Sequence, residues 1–190
     1  PGVAVFDVSL KKVDRIIKMP SPVHGVLVDD GKLFAAAGKH EACVYVYDLP
    51  SERLQKSIKT GHGPTDIAIS KKFQQLFIAN RFSNDVSVID IKKQKEIRRI
   101  TVGREPVAIS LSPDEHLIAI ANLLPMQAST DKYISSKITL IDHSSLSVIK
   151  QIDLPNGSYN VKDIIFSKDG NFMYVSHLIG RYNVLTNQIE

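Results

Sequence analysis

Residues 86–90 read Val86-Ser87-Val88-Ile89-Asp90, a short run of strand-forming residues stopped by an aspartate. The same shape returns as Val3-Ala4-Val5-Phe6-Asp7, Val44-Tyr45-Val46-Tyr47-Asp48 and Ile138-Thr139-Leu140-Ile141-Asp142. The four aspartates lie 41, 42 and 52 residues apart. Other landmarks keep the step: Pro22, Pro64 and Pro106 follow one another at 42, as do Ser70 and Ser112, and Asn80 and Asn122. A repeat of about 40–45 residues with four strands in each copy describes the blade of a β-propeller. The chain is therefore expected to be all-β, built from four-stranded antiparallel blades.

Working outward from the aspartates places the other strands. Innermost strands are expected at 24–30, 65–71, 106–112 and 161–167, and second strands at 33–38, 76–80, 117–122 and 172–177. Fourth strands fall at 12–18, 53–60, 96–102 and 147–153. The inner two are nearly continuous apolar runs, such as Asp66-Ile67-Ala68-Ile69 and Leu76-Phe77-Ile78-Ala79, as strands covered on both faces require. The fourth strands carry most of the Lys and Arg, which suits an exposed rim. Turn residues separate the runs: Asp30-Gly31, Ser112-Pro113-Asp114 and Lys168-Asp169-Gly170.

One blade cannot bury both of its faces, so blades must stack into a ring. The 190 residues hold units at about 1–19, 20–60, 61–102, 103–153 and 154–190, forming one propeller domain that starts on a third strand. A seven-bladed ring at this spacing takes roughly 290 residues. The chain is thus expected to be a partial ring, about four blades of seven, with the remaining blades needed to close it.

Composition excludes several classes. At 43% hydrophobic residues and a net charge of +4, the chain is neither disordered nor a charged tail. One cysteine rules out a disulfide framework, and no apolar run approaches the roughly 20 residues of a membrane-spanning helix. The opening Pro1-Gly2-Val3-Ala4-Val5 is not a signal peptide. Lys92-Lys93-Gln94-Lys95 and Arg98-Arg99 are basic, but they fall on an outer strand and lack an aromatic stacking stripe, so nucleic acid is not an expected partner.

Phe77-Ile78-Ala79-Asn80, followed by Arg81-Phe82-Ser83-Asn84-Asp85 and Val86-Ser87-Val88-Ile89-Asp90, resembles the YVTN-type seven-bladed propeller repeat. Gly63-Pro64-Thr65-Asp66 and Ile100-Thr101-Val102-Gly103 fit its flanks. Ala119-Ile120-Ala121-Asn122 and Tyr174-Val175-Ser176-His177 are further copies, while Ala35-Ala36-Ala37-Gly38 departs from the pattern. The resemblance implies a general-purpose scaffold located outside the cytoplasm, periplasmic or at the cell surface of bacteria or archaea. The tract from Tyr174 to Tyr182 leading into Gln188-Ile189-Glu190 is also similar to propellers joined to c-type cytochrome or di-haem peroxidase-like domains. That likeness implies haem c elsewhere in the protein; no Cys-x-x-Cys-His occurs here, so no cofactor is expected in this piece.

Departures from the period point to the site. Asn80 and Asp90 are ten residues apart, but Asn122 and Asp142 are twenty, so residues 123–136 hold a ten-residue insertion. A third strand ending near residue 187 is also lacking, which marks 178–190 as the start of a second long loop. Both should leave the ring on one face, together with the fourth-to-first connections, and loops gathered on a rigid frame are where binding occurs. His24, His40, His62, Arg81, Arg104, Asn122, His177 and Arg181 are expected to converge there. Each histidine has a plainer reading as a surface or hydrogen-bonded side chain, and no metal-ligand spacing links them. Asn80, Asn122 and the repeat aspartates have one as turn-satisfying groups.

No nucleophile elbow or phosphate-binding glycine loop is present, and Cys43 reads as a small packed residue. Two function classes follow. The first is a non-catalytic scaffold that holds a protein or small ligand on its loop-rich face. The second is the propeller portion of an extracytoplasmic redox protein, with a cytochrome docking near Arg81, Arg104 and Arg181.

Overall fold

A computed structural model describes residues 1–38 and 41–180. All its regular structure is β, in sixteen antiparallel strands. The chain opens with a two-stranded sheet, β1 (Gly2–Asp7) and β2 (Lys12–Lys18). The first full blade is β3 (Val23–Asp29), β4 (Lys32–Ala37), β5 (Cys43–Asp48) and β6 (Arg53–Lys59). The second is β7 (Pro64–Ser70), β8 (Gln75–Asn80), β9 (Asp85–Asp90) and β10 (Lys95–Thr101). The third is β11 (Pro106–Leu111), β12 (Leu117–Asn122), β13 (Lys137–Asp142) and β14 (Ser147–Asp153). A second two-stranded sheet, β15 (Ser158–Phe166) and β16 (Met173–Ile179), ends the described chain.

Three complete blades are therefore flanked by the outer half of one blade and the inner half of another. The innermost strands β3, β7, β11 and β15 lie side by side in that order, and the described residues do not close the ring. Burial explains the sequence pattern. The second and third strands of the full blades are almost wholly buried, whereas β6, β10 and β14 are mostly exposed.

The apolar core lies between blades. Val3, Val5 and Ile17 pack on Leu33, Ala35 and Tyr45 at the first junction. Phe34, Val44, Val46 and Ile58 meet Ile67, Leu76, Ile78 and Ile89 at the second. Phe77, Val86 and Val88 meet Ile109, Ile118, Ile120 and Ile141 at the third, and Ala119, Ala121 and Ile138 meet Val161 and Ile164 at the last. Each fully buried side chain of this size contributes about 1.5–3 kcal/mol.

Register corrects two details of the sequence reading. Asn80 faces Asp85 and Asn122 ends β12, but in the first blade it is Ala37, facing Cys43, that occupies the equivalent place, not Gly38. Leu178 and Ile179 continue β16, paired with Tyr159 and Ser158, so no loop begins at 178. β15 also starts three residues earlier than expected. Its register slips around Asn160, which sits at positive φ and donates its N–H to Leu123 O at 2.9 Å. The insertion after β12 and the irregularity in β15 thus fit one another.

Candidate functional site on the loop-rich face

The turns after β8 and β12 emerge at the same end as the links into β7, β11 and β15, and hydrogen bonds join them. Arg81 N donates to Gly63 O (2.9 Å) and Phe82 N to His62 O (3.0 Å). Asn84 accepts from Val102 N at its carbonyl (2.9 Å) and from Glu105 N at Oδ1 (2.8 Å). Leu123 N donates to Glu105 O, and Gly157 N to Ile134 O, both at 2.8 Å. The inserted loop is held at its far end too: Ile134 N donates to Asn156 Oδ1 (2.8 Å) and Tyr133 Oη to Leu154 O (2.7 Å). This face is a connected frame, and β16 runs to its edge, where Gly180 N donates to Gly157 O.

Two clefts open in the frame. One, of about 340 Å3, lies where β3 meets β7 and is bordered by Pro22, His24, Gly63, Pro64, Arg81 and Phe82. The other, of about 330 Å3, lies between Asn84, Val102 and Arg104 on one side and Met126 of the inserted loop on the other.

The expected site residues divide accordingly. His24 and Arg81 border the first cleft and Arg104 the second, while His62 is exposed in the turn leading into β7. Arg81 is not free to meet a cytochrome's acidic groups with its whole guanidinium: Nε and Nη2 lie 2.9 and 2.8 Å from Glu105 Oε2. His177 is half-buried on β16, with Nδ1 3.4 Å from Leu178 O. His40 and Arg181 lie outside the described residues.

Asn122 is a correction. It is only 1% exposed, and its Nδ2 donates to Lys137 O (2.8 Å) and Thr139 Oγ1 (3.0 Å) inside the blade. Asn80 does the same with Asp85 Oδ1 (2.7 Å) and Ser87 Oγ (2.8 Å). These asparagines tie the mouths of the second-to-third turns, so their place is under the face and not on it.

Sequence reasoning missed Phe82, Met126 and the prolines of the first cleft. Phe82 carried a signal: a large aromatic residue in a four-residue turn has no core to enter. It is 68% exposed, with the Arg81 guanidinium 5.3 Å from its ring centre. Gly63 makes that position possible, since a Cβ there would stand 2.4 Å from Phe82 Cδ2 and the residue's φ is +66°.

The ionisable groups nearby have other tasks. Asp66, on β7, accepts from Ile67 N (2.8 Å) and, across to the next inner strand, from Ile109 N (2.9 Å). Burial pushes its carboxyl up, against the pull of those two N–H groups. The Cys43 thiol is buried in β5, and burial pushes it up as well, so it is a packed thiol and not a poised nucleophile. Among the described residues no group of three or more His, Cys, Asp or Glu could hold a metal ion. No helix among the described residues is long and apolar enough to cross a membrane.

Fold and face together define an incomplete β-propeller with clefts between its inner blades. Comparison with solved structures agrees on the fold: the whole chain superposes on a chain of Kuenenia stuttgartiensis hydrazine synthase with a TM-score of 0.86 at 22% identity. The match covers 53% of that chain, so the present chain spans about half the length of the one it matches. No protein-family model and no curated protein matches the sequence.

Proposed function

We propose that the chain is the ligand-holding portion of a propeller scaffold, with no catalytic residues of its own, and that the loop-rich face receives a protein or small ligand. The observation that carries this reading is the pair of clefts set into a hydrogen-bonded frame. Rigid frames with concave, mostly apolar openings of this size are where ligands bind. The YVTN-type repeat, a seven-bladed ring and an extracytoplasmic location belong to the same proposal, supported by the motif residues around Asn80, Asn122 and His177.

The test is a screen of small fragments by amide NMR on the intact chain. Perturbed amides are expected around Gly63, Phe82, Arg104 and Met126. Perturbations confined to the opposite end, around Lys71, Gln74 and Ile91, would overturn it.

A second reading, a propeller portion of a redox protein partnered by a c-type cytochrome domain, is favoured by the fold likeness to a chain named hydrazine synthase. The residues present do not fit a covalently held haem, because the sole cysteine is buried and no Cys-x-x-Cys-His exists. Any haem would be carried by other parts of the protein. A Soret band in the full-length protein purified from its native host would support this reading, and its absence would remove it.

A further inference from the structure

Resting on the binding-face reading, we propose that the cleft between β3 and β7 takes a flat aromatic acid, its ring stacked on Phe82 and its carboxylate met by Arg81 and His24. The walls supply mainly shape: Thr65, the one hydroxyl among the described lining residues, already donates toward Ala79 O and Pro106 O at 3.2 Å. Pro22, Pro64 and Gly63 offer pyrrolidine rings and bare backbone, and Phe82 offers an aromatic face. Phe82 is also fixed before any ligand arrives. Its N–H is bonded to His62 O, the Cγ–Cδ2–Cε2 edge of its ring lies against Gly63, and the Arg81 guanidinium stands 5.3 Å from its centre. A ring exposed to water yet already held at its backbone and along one edge loses little entropy on stacking.

The polar groups at the rim select the charge. No carboxylate borders the cleft among the described residues. Glu105 occupies the Nε and Nη2 positions of Arg81, while Nη1 has no hydrogen-bond partner among the described residues. His24 is exposed across the opening. What the cleft presents to a ligand is therefore donors beside an aromatic platform, the pairing that a planar acid satisfies and a base or neutral ring does not.

The experiment titrates the intact chain with 2-naphthoate, 2-naphthalenemethanol and cyclohexanecarboxylate, followed by amide NMR. Naphthoate is expected to shift Gly63, Arg81 and Phe82 with a Kd of roughly 0.1–1 mM, and the other two to bind about ten-fold more weakly. Phe82→Ala and Arg81→Gln should each weaken naphthoate binding about ten-fold while the remaining amides keep their native positions. Equal affinity for the alcohol would overturn the acid, and unchanged affinity in Phe82→Ala would overturn the cleft. If naphthoate fails here while fragments still bind beside Arg104 and Met126, this inference falls and the binding face stands. Fragments bound only at the opposite end would sink both.

Discussion

Asp142 ends β13 by accepting from Ser144 Oγ (2.6 Å), Ser145 N (2.8 Å) and Ser145 Oγ (2.8 Å), which holds its carboxyl down at about 2. Asp7, Asp48 and Asp90 do the same work at their own turns, each lowered first by a hydrogen bond from the turn. The repeat aspartates are turn caps, which is why the motif survives at four places with no acid chemistry attached. A group lowered in the fold contributes stability that is complete above its unfolded value near 4 and is lost as the pH falls through its folded value. Asp142→Asn is therefore expected to lower Tm at pH 7, and the difference from the native chain should narrow steadily as the pH falls from about 4 toward 2. His143, the next residue, has the opposite sign. It is 3% exposed, with Nδ1 2.7 Å from Glu115 O, Nε2 2.8 Å from the Gln75 carboxamide, and Phe73 and Phe77 against its ring. Burial pushes the imidazole below its usual value, with the Glu115 carbonyl pulling the other way; His116, Glu115 and Asp142 are the charged groups nearby. A base lowered in the fold contributes stability that is complete above its ordinary value near 6.5 and declines as the pH drops below that. Thermal melts from pH 7.5 to 5.5 should show the decline, and His143→Gln should flatten it. An unchanged slope in the variant would assign the loss to other groups.

Each outer strand is blunted in the same way. The register slips once in β2, β6, β10 and β14, and the slip leaves Asp14, Gln55, Ile97 and Ile149 as the extra residues. Bulges and the Lys and Arg of β6 and β10 protect an open edge from pairing with other chains, so the basic rim needs no nucleic acid to explain it. A second device works at the loop-rich end. Gly103 sits over Asn122 so closely that a Cβ would stand 2.6 Å from Asn122 Cγ, and Gly61 stands over Asn80 in the same manner. Gly103→Ala is expected to cost about 1–3 kcal/mol, roughly 3–10 °C in Tm. Removing the obstacle in Gly103→Ala/Asn122→Ala should make the two losses less than additive, and strict additivity would show that they do not touch. These devices mark the limit of what could be read from the chain. Strand positions were legible because both faces of the inner strands are buried, leaving unbroken apolar runs between turn residues. The place of Asn122 was not, because an asparagine bonded inside a blade and one facing a ligand have the same spacing. The cleft was illegible for a similar reason: Pro22, Pro64 and Phe82 come from two repeats, and only the ring brings them together.

As a whole, the described residues begin and end on two unfinished blades whose exposed side chains are complementary. Ile67, Ile109 and Ile164 occupy one register position and are buried against the preceding blade. Val26 holds that position in β3, where only β1 and β2 precede it, and it is exposed together with Val28, Phe6 and Ile16. At the other end Ile165 of β15, Tyr174 and Leu178 of β16, and Phe172 just before β16 are exposed. The hydrogen bonds repeat the asymmetry. Asp66 bonds Ile67 N with one oxygen and Ile109 N on the next inner strand with the other, while Asp163 bonds Ile164 N and has no following inner strand within the described residues. Among the described residues, the sheet β1–β2 has no inner pair of strands and the inner pair β15–β16 has no outer strands. Apolar patches of this extent on both ends favour association, and here each end offers what the other needs. The 190-residue chain alone is accordingly expected to self-associate, with light scattering behind a sizing column giving at least twice the mass of one chain near 100 µM. Phe6→Lys and Tyr174→Lys, one at each end, should each shift it toward the single-chain mass without disturbing the three complete blades. A monodisperse single chain at that concentration would mean that the exposed faces are tolerated as they stand, and the argument that blades must be closed on both sides would fail for this fold.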